Sequence, residues 1–121
     1  MVVAHEVRFA RVYDEPLDLS GLRILVDRLW PRGLSKQQAR LDEWCKDVAP
    51  SSRLRQWYGH DRQKFDEFAR RYRIELDDAE HAASVEHLRV LARHQTVTLL
   101  TATKESSISG AAVLAELIGD N

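Results

Sequence analysis

The chain has 121 residues, of which 44% are hydrophobic and 31% are charged, and this is the composition of a globular domain rather than of a disordered chain. Its 18 basic and 19 acidic side chains give a net charge of −1, which excludes a protein that coats nucleic acid through bulk charge. The single cysteine, Cys45, excludes an intrachain disulfide.

Targeting signals are not visible in this sequence. The first residues lack the positive region and long apolar core of a signal peptide, and every apolar run falls far short of the roughly 20 residues of a membrane span. We therefore expect a soluble cytoplasmic protein without membrane contact, with one domain over residues 1–121. Charge is segregated within it, because residues 21–40 carry five basic side chains and one acidic, whereas residues 74–121 carry three basic and eight acidic. A local anion site fits this distribution.

Two strands are predicted near the start of the chain. Residues 7–13 are rich in strand formers, and residues 14–21 form a connector with Pro, Asp, Ser and Gly. Residues 22–27 predict a second strand with apolar side chains on both faces. One face carries Leu22, Ile24 and Val26, and the other carries Leu25. A sheet covered on both sides, as in α/β folds, is expected from this pattern.

Between Pro31 and Pro50, the chain is predicted to become helical after the break at Pro31 and Gly33. Ser35 and Gln38 have the spacing of a capping box, which predicts a helix from about residue 36. Four apolar residues then follow at helical spacing, namely Leu41, Trp44, Cys45 and Val48. An alternating pattern over Leu41, Glu43 and Cys45 fits a strand less well, and Pro50 ends the segment.

Three helices are predicted between residues 51 and 94. Ser51 and Ser52 are both possible N-caps for a short helix that ends before Gly59. Asp61 then caps a long amphipathic helix, which is broken near residues 77 and 78. Its apolar stripe consists of Phe65, Phe68, Ala69, Tyr72 and Leu76. A further helix over about 81–93 buries Val85, Leu88, Leu91 and Ala92.

The last part of the chain predicts one strand and one helix. Residues 96–102 form the clearest strand of the sequence, residues 104–107 a polar loop, and residues 108–118 a helix that stops at Gly119. Helical crossovers around an apolar strand indicate parallel pairing and right-handed connections. We therefore predict an α/β fold, a small three-layer αβα sandwich with a mostly parallel sheet of three to four strands.

A candidate site follows from where two strands end. In open α/β sheets, ligands bind beyond the carboxyl ends of the strands. One strand leads into Asp27, Arg28, Trp30 and Arg32, and the other leads into Thr101, Thr103, Lys104 and Ser106. A helix that begins near Ser107 would point its N–H groups at the same place, which favours an anion.

Roles can be assigned to these residues under two interpretations. In the first, Arg28 and Arg32 clamp an anion, Lys104 assists, and Asp27 orients an arginine or acts as an acid or base. In the second, Asp27 pairs with one of the arginines to fix the loop, and Trp30 is a core residue.

Other chemistry is less well supported by the sequence. His60 and Asp61 could act as a general base with an orienting carboxylate, but Asp61 is equally explained as a helix cap. Cys45 is interpreted as a buried structural thiol rather than a nucleophile. The histidines lack metal-ligand spacing, and no nucleotide-binding or nucleophile motif is present, so we expect neither a metal nor a cofactor.

Several stretches of the chain are similar to one known family. They are Val-Tyr-Asp at 12–14, Leu-Val-Asp-Arg-Leu-Trp-Pro-Arg-Gly at 25–33, Ala-Pro-Ser at 49–51, Trp-Tyr-Gly-His-Asp at 57–61, Arg-Tyr-Arg at 71–73 and Val-Thr-Leu-Leu at 97–100. With them the chain resembles the YeaO-like family of small bacterial proteins, classed as domain of unknown function 488. The resemblance implies a small α/β domain that usually stands alone, and it implies no activity. Members carry an aromatic residue where this chain has Thr101 and an Asn- and His-containing loop at 106–110, so the resemblance implies an altered site here.

Three functions remain open from the sequence. The leading hypothesis is an enzyme or ligand-binding domain for an anionic small molecule, such as a phosphorylated compound or a nucleotide. A less favoured alternative is a nucleic-acid-associated module. In it, Trp30 or Trp57 would stack on bases, and phosphates would be tracked by Arg53, Arg55, Arg62, Arg70 and Arg71. The third is a protein-interaction domain that uses the loop at 29–34. The oligomeric state and the identity of the ligand are not encoded in any pattern of the sequence.

Overall fold

A four-strand parallel sheet forms the centre of the protein in the computed structural model, which describes residues 6–14 and 21–119. The strands are Val7–Arg11 (β1), Leu22–Leu25 (β2), Glu43–Trp44 (β3) and Val97–Thr101 (β4). Their order across the sheet is β1-β4-β2-β3, and all neighbouring pairs run parallel. Most of the predicted connector over 14–21 lies outside the described residues.

Helices connect these strands and cover the sheet. They are Lys36–Ala39 (α1), Ser52–Tyr58 (α2), Phe65–Leu76 (α3), Ala79–His94 (α4) and Gly110–Gly119 (α5). Short 3-10 turns occupy Lys46–Val48, Arg62–Lys64 and Ser106–Ile108. Parallel strands with helical connections make this a small α/β sandwich, as the sequence predicted.

The main core lies between one sheet face and helices α2 to α5. Its sheet side is formed by Ile24, Val26, Val97 and Leu99, and its helix side includes Phe68, Tyr72, Leu88 and Leu114. The alternation predicted for residues 22–27 is therefore confirmed, because Leu25 points to the opposite face.

A thinner layer covers that opposite face. Leu25, Leu100 and Val12 are buried there beneath the loop side chains Trp30, Leu34 and Leu41. The Arg23 guanidinium anchors α1 to this layer, because its Nη2 donates to the Ala39 carbonyl at 3.0 Å and its Nε to the Arg40 carbonyl at 3.2 Å. The residues after β2 therefore cover the second face of the sheet, beginning with the charged loop at residues 27–34.

The helix predicted through residues 41–48 is wrong. The capping box at Ser35 and Gln38 is present, but α1 ends after one turn because Arg40 adopts a left-handed conformation with φ of 49°. The chain then pairs with β2 as β3, and the Cys45 N–H donates to the Leu25 carbonyl at 2.8 Å. Backbone pairing with the sheet outweighs the local helical spacing of the apolar residues.

Helix boundaries elsewhere follow the predicted caps. Ser51 accepts from the Leu54 N–H and begins α2, and Gly59 ends it with φ of 55°. Asp61 caps the 3-10 turn before α3 rather than α3 itself. The predicted break at residues 77 and 78 separates α3 from α4, and Asp78 caps α4. The last helix begins at Gly110, two residues later than expected.

Candidate functional site

Asp27 lies at the carboxyl edge of the sheet, two residues after β2 ends. Its Oδ1 accepts from the Thr101 hydroxyl at 2.8 Å, and its Oδ2 accepts from the Ala102 N–H at 2.7 Å. These bonds tie the end of β2 to the end of β4, its neighbour in the sheet. Burial raises the pKa of Asp27, although the two hydrogen bonds and the electrostatic interactions with His60 and Arg55 act in the opposite direction.

The chain reverses direction at this edge. After β2 it continues outwards to β3, whereas after β4 it turns back to α5, which packs on β1 and β4. The carboxyl ends of β2 and β4 therefore flank a topological switch point, where ligands of open α/β sheets bind.

A cavity of about 980 Å³ opens at this switch point, and we call it the outer cavity. The six residues to which the sequence analysis gave a catalytic or binding role line it, namely Asp27, Arg28, Trp30, Arg32, His60 and Lys104. Of the other residues expected beyond the second strand, Thr103 lines it, whereas Thr101 and Ser106 are not among its lining residues. Two further arginines line it that the sequence analysis did not assign to this site, Arg11 and Arg55. Arg11 ends β1 and reaches the cavity because β1 lies beside β4. The sequence assigns Arg55 only to the nucleic-acid alternative.

The cations that follow the two strands have no partners of their own. Arg28, Arg32 and Lys104 are exposed. Among residues 6–14 and 21–119, none of these three side chains makes a hydrogen bond or an ion pair. The alternative in which Asp27 pairs with a neighbouring arginine is therefore not what is seen, because Asp27 is held by Thr101 and Ala102 instead.

The backbone of the charged loop is fixed by three aromatic side chains. The Tyr13 hydroxyl donates to the Arg32 carbonyl at 2.6 Å, the Trp30 Nε1 to the Leu34 carbonyl at 2.6 Å, and the Trp44 Nε1 to the Asp27 carbonyl at 2.7 Å. The two tryptophan rings meet edge to face with centroids 5.4 Å apart. Trp30 is half-buried and packs on the layer of Val12, Leu25 and Leu100 that covers the second sheet face, as the second interpretation expects. It also lines the outer cavity.

His60 reaches the cavity from an uncommon backbone conformation. Its φ is 58°, and within the described residues only Arg40 shares this feature among the non-glycine residues. A left-handed conformation costs such a residue roughly 1–2 kcal/mol. Asp61, by contrast, accepts from the Gln63 N–H at 3.0 Å, so the interpretation of Asp61 as a cap is confirmed.

A smaller cavity of about 150 Å³, the inner cavity, adjoins the outer one. The two share Asp27, Pro50, Arg55, His60 and Thr103 as lining residues. The inner walls are otherwise mostly apolar and include Val26, Tyr58, Phe68 and Ala111. Asp27 therefore stands between a cationic outer space and an apolar inner one.

The family is decided by comparison with known sequences. A family model described as the inactive DUF488-N3 subclade matches residues 6–121. The chain belongs to the DUF488 family. The resemblance read from the stretches around residues 25–33 and 57–61 is thereby confirmed.

Relatives of this DUF488 protein come from several bacteria. "Uncharacterized protein Rv3073c" of Mycobacterium tuberculosis (strain ATCC 25618 / H37Rv) is 49% identical over 118 residues, which cover 98% of each chain. "Uncharacterized protein Mb3100c" of Mycobacterium bovis has the same identity and coverage. "Uncharacterized protein YeaO" of Escherichia coli K12 is 39% identical over 110 residues, covering 91% of this chain and 94% of the relative. No solved structure gives a significant match.

The arginines of the nucleic-acid alternative are mostly engaged within the DUF488 domain. Arg70 and Arg71 both bind Glu67, and their hydrogen bonds lower the pKa of Glu67 to about 2. Arg62 pairs with Glu105. The Trp57 ring is covered by Arg71, whose Cζ lies 4.1 Å from the ring centroid, and by the Lys64 ammonium at 5.1 Å.

Neither a metal-ligand cluster nor a helix suited to cross a membrane occurs in the described part of this DUF488 chain. Residues 6–14 and 21–119 contain no group of three or more His, Cys, Asp or Glu side chains placed to hold a metal ion. Within the same ranges, no helix has the length and apolar character needed to cross a membrane.

Proposed function

We propose that this protein binds an anionic small molecule, such as a phosphorylated compound or a nucleotide, in the outer cavity. The observation that carries the proposal is the accumulation of basic side chains at the switch point, three of which, Arg28, Arg32 and Lys104, make no hydrogen bond or ion pair among the described residues. Five basic side chains line the outer cavity, Arg11, Arg28, Arg32, Arg55 and Lys104, against the two carboxyl groups of Asp27 and Glu105. Its volume of about 980 Å³ lies at the upper end of the range for ligand pockets, roughly 300–1,000 Å³.

The cations divide the work according to their positions. Arg28 and Arg32 are the clamp, because a planar guanidinium contacts phosphate oxygens in pairs. Lys104 adds a point charge from the end of β4. Like charges held close together raise the energy of the empty protein, and a bound dianion relieves that repulsion.

Binding without turnover is the form of the proposal that we favour. Asp27 and His60 line the same cavity, which is the arrangement that acid–base chemistry requires. The matching family model is nevertheless described as inactive. The loop at 106–110, which departs from the pattern of the resembled family, supports the same conclusion.

The test is the thermal unfolding of wild type and Arg32→Ala at low salt, with and without inorganic phosphate and a panel of phosphorylated metabolites. A ligand at ten times its Kd stabilises the native state by about 1.4 kcal/mol, which raises the wild-type Tm by several degrees. Arg32→Ala should lose this response. Its ligand-free Tm should stay within about 2 °C of wild type, because an exposed side chain without partners changes stability by at most about 0.5 kcal/mol.

Arg53→Ala is the matched control, because Arg53 is an exposed arginine of α2 that does not line the outer cavity. This variant should keep the full ligand response. The proposal is wrong if no compound shifts the wild-type melt. It is also wrong if Arg53→Ala and Arg32→Ala lose the response equally.

Nucleic acid and protein partners are the alternatives. Nucleic-acid binding would fall steeply with salt and would weaken in Arg53→Ala, and the ion pairs of Arg62, Arg70 and Arg71 do not favour it. A protein contact through the loop at 29–34 is supported by Leu29, which is 69% exposed, but Trp30 and Pro31 of that loop pack inwards.

A further inference from the structure

The inner cavity has the chemistry to select among anionic ligands, and this rests on the proposed binding of a phosphate group in the outer cavity. A carboxylate offers about four acceptor positions, and the Asp27 carboxylate uses one on the Thr101 hydroxyl and one on the Ala102 N–H. Acceptor capacity therefore remains on a group that is fixed at both oxygens and faces both cavities. A ligand can fill that capacity only with a hydrogen-bond donor.

Donors also line the inner cavity. Arg55 lines both cavities, and its Nη2 donates to the Ser52 hydroxyl at 3.0 Å, which leaves other N–H groups of the guanidinium available to a ligand. Arginine cannot accept a hydrogen bond, so an acceptor is required beside it. A hydroxyl group both donates and accepts, and it is therefore the simplest single group that satisfies Asp27 and Arg55 together.

Size and charge decide which part of the ligand enters. The inner volume of about 150 Å³ corresponds to about five water molecules at roughly 30 Å³ each. A three-carbon polyol or a small sugar ring fits this space, and the mostly apolar walls suit its carbon chain. A phosphate group does not suit it, because it would meet the Asp27 carboxylate without the free cations Arg28, Arg32 and Lys104, which line only the outer cavity.

We infer that the ligand is a phosphate monoester of a polyhydroxylated carbon chain or ring. Its phosphate lies against Arg28, Arg32 and Lys104, and a hydroxyl enters the inner cavity, donates to Asp27 and accepts from Arg55. Asp27 is thus the specificity-determining residue of the site, and the arginines of the loop supply affinity for any phosphate.

The experiment compares two ligands of equal carbon number by isothermal titration calorimetry. Glycerol 3-phosphate and n-propyl phosphate carry the same charge and differ by two hydroxyl groups. Wild type should bind glycerol 3-phosphate at least tenfold more tightly, a difference of about 1.4 kcal/mol. In Asp27→Asn this ratio should fall at least threefold, because the charge-assisted hydrogen bond from the ligand hydroxyl becomes a weaker neutral one. The ratio is the readout, because removing a negative charge beside the site strengthens the binding of both phosphates alike.

Glu105→Gln is the control, since it removes a carboxylate that lines the outer cavity alone, and it should keep the wild-type ratio. A wild-type ratio near one, with both compounds bound, overturns this inference and leaves anion binding intact. A tenfold ratio that is retained in Asp27→Asn also overturns this inference and leaves anion binding intact. If wild type binds neither compound nor inorganic phosphate, the proposed function fails as well. If Asp27→Asn does not fold, the ratio measured with the wild type decides.

Discussion

At the scale of single residues, the burial of Asp27 opposes the ionisation of its carboxyl group. The carboxyl is half-buried, and desolvation raises its pKa above the ordinary value of 3.8. A carboxyl whose pKa is raised by folding favours the native state while it is protonated. This contribution is complete below pH 3.8 and is lost as the pH rises through the folded-state pKa. Near neutral pH, the folded protein therefore bears the cost of the ionised group.

Asp27→Asn should for this reason stabilise the ligand-free protein at pH 7, and the gain should shrink as the pH falls towards 3.8. The amide can keep both contacts, accepting from the Ala102 N–H and donating to the Thr101 hydroxyl, which lies 3.1 Å from the Thr103 hydroxyl and can turn towards it. Urea unfolding of both proteins at several pH values measures this difference. A variant that is less stable than wild type at pH 7 would show that the charge itself holds the two strand ends together.

Cys45 should be inert in the native protein. Burial, followed by the negative charges of Glu43 and Asp47, raises the pKa of the Cys45 thiol to about 11, so little reactive thiolate exists at neutral pH. Labelling with a chromogenic disulfide reagent should be slow in buffer and rapid in denaturing urea. Equal rates in the two conditions would contradict the buried position, which follows β3 rather than a helix.

Residue positions near strand ends were predictable, whereas those set by docking were not. Asp27, Arg28 and Lys104 follow directly from strands that the sequence makes clear, so their place at one edge needed only parallel pairing. Arg11 reaches the cavity because β1 lies beside β4. Arg55 reaches it because α2 packs on α3 and because Tyr58 of α2 donates to the Ile108 carbonyl. No local pattern carries that information.

At the scale of elements, α3 buries an aromatic face in the core. Phe68 is 2% exposed, and its ring stacks on Tyr58 with centroids 4.2 Å apart. Phe68→Ala should therefore lower the free energy of unfolding by about 3–5 kcal/mol, the cost of removing a buried phenylalanine. Ile74→Ala is the control on the same helix, because Ile74 is 59% exposed, and it should change stability by less than about 1 kcal/mol. Similar losses from both changes in chemical denaturation would contradict the assigned face.

The elements that differ most from expectation, β3 and α1, are both short. A seven-residue helix such as α2 is still marked by Ser51 and Gly59, whose roles as cap and stop depend only on neighbours in sequence. The two-residue strand β3 exists through its pairing with β2, and Trp44 and Cys45 happen to have helical spacing with Leu41 and Val48. Local periodicity cannot reveal a strand that the sheet induces.

At the scale of the whole molecule, the fold class was predictable because the apolar strands predicted at 22–27 and 96–102 are each followed by helical sequence. Those facts imply a parallel sheet and place the site at its carboxyl edge. The strand order was not predictable, because β4 inserts between β1 and β2 from the far end of the chain. Its partners are selected by the apolar faces of Ile24 and Leu99, which can be matched only in three dimensions.

The aromatic side chains that fix the charged loop have a consequence for the proposed anion binding. Because Tyr13, Trp30 and Trp44 hold carbonyl groups of this loop, its backbone loses conformational freedom when the protein folds and would lose little more when an anion binds. Only the free ends of Arg28, Arg32 and Lys104 would then be ordered, at about 0.5–1.5 kcal/mol for each side chain. The proposed site would therefore be preorganised in its backbone, with only its cationic side chains left to adapt to the anion.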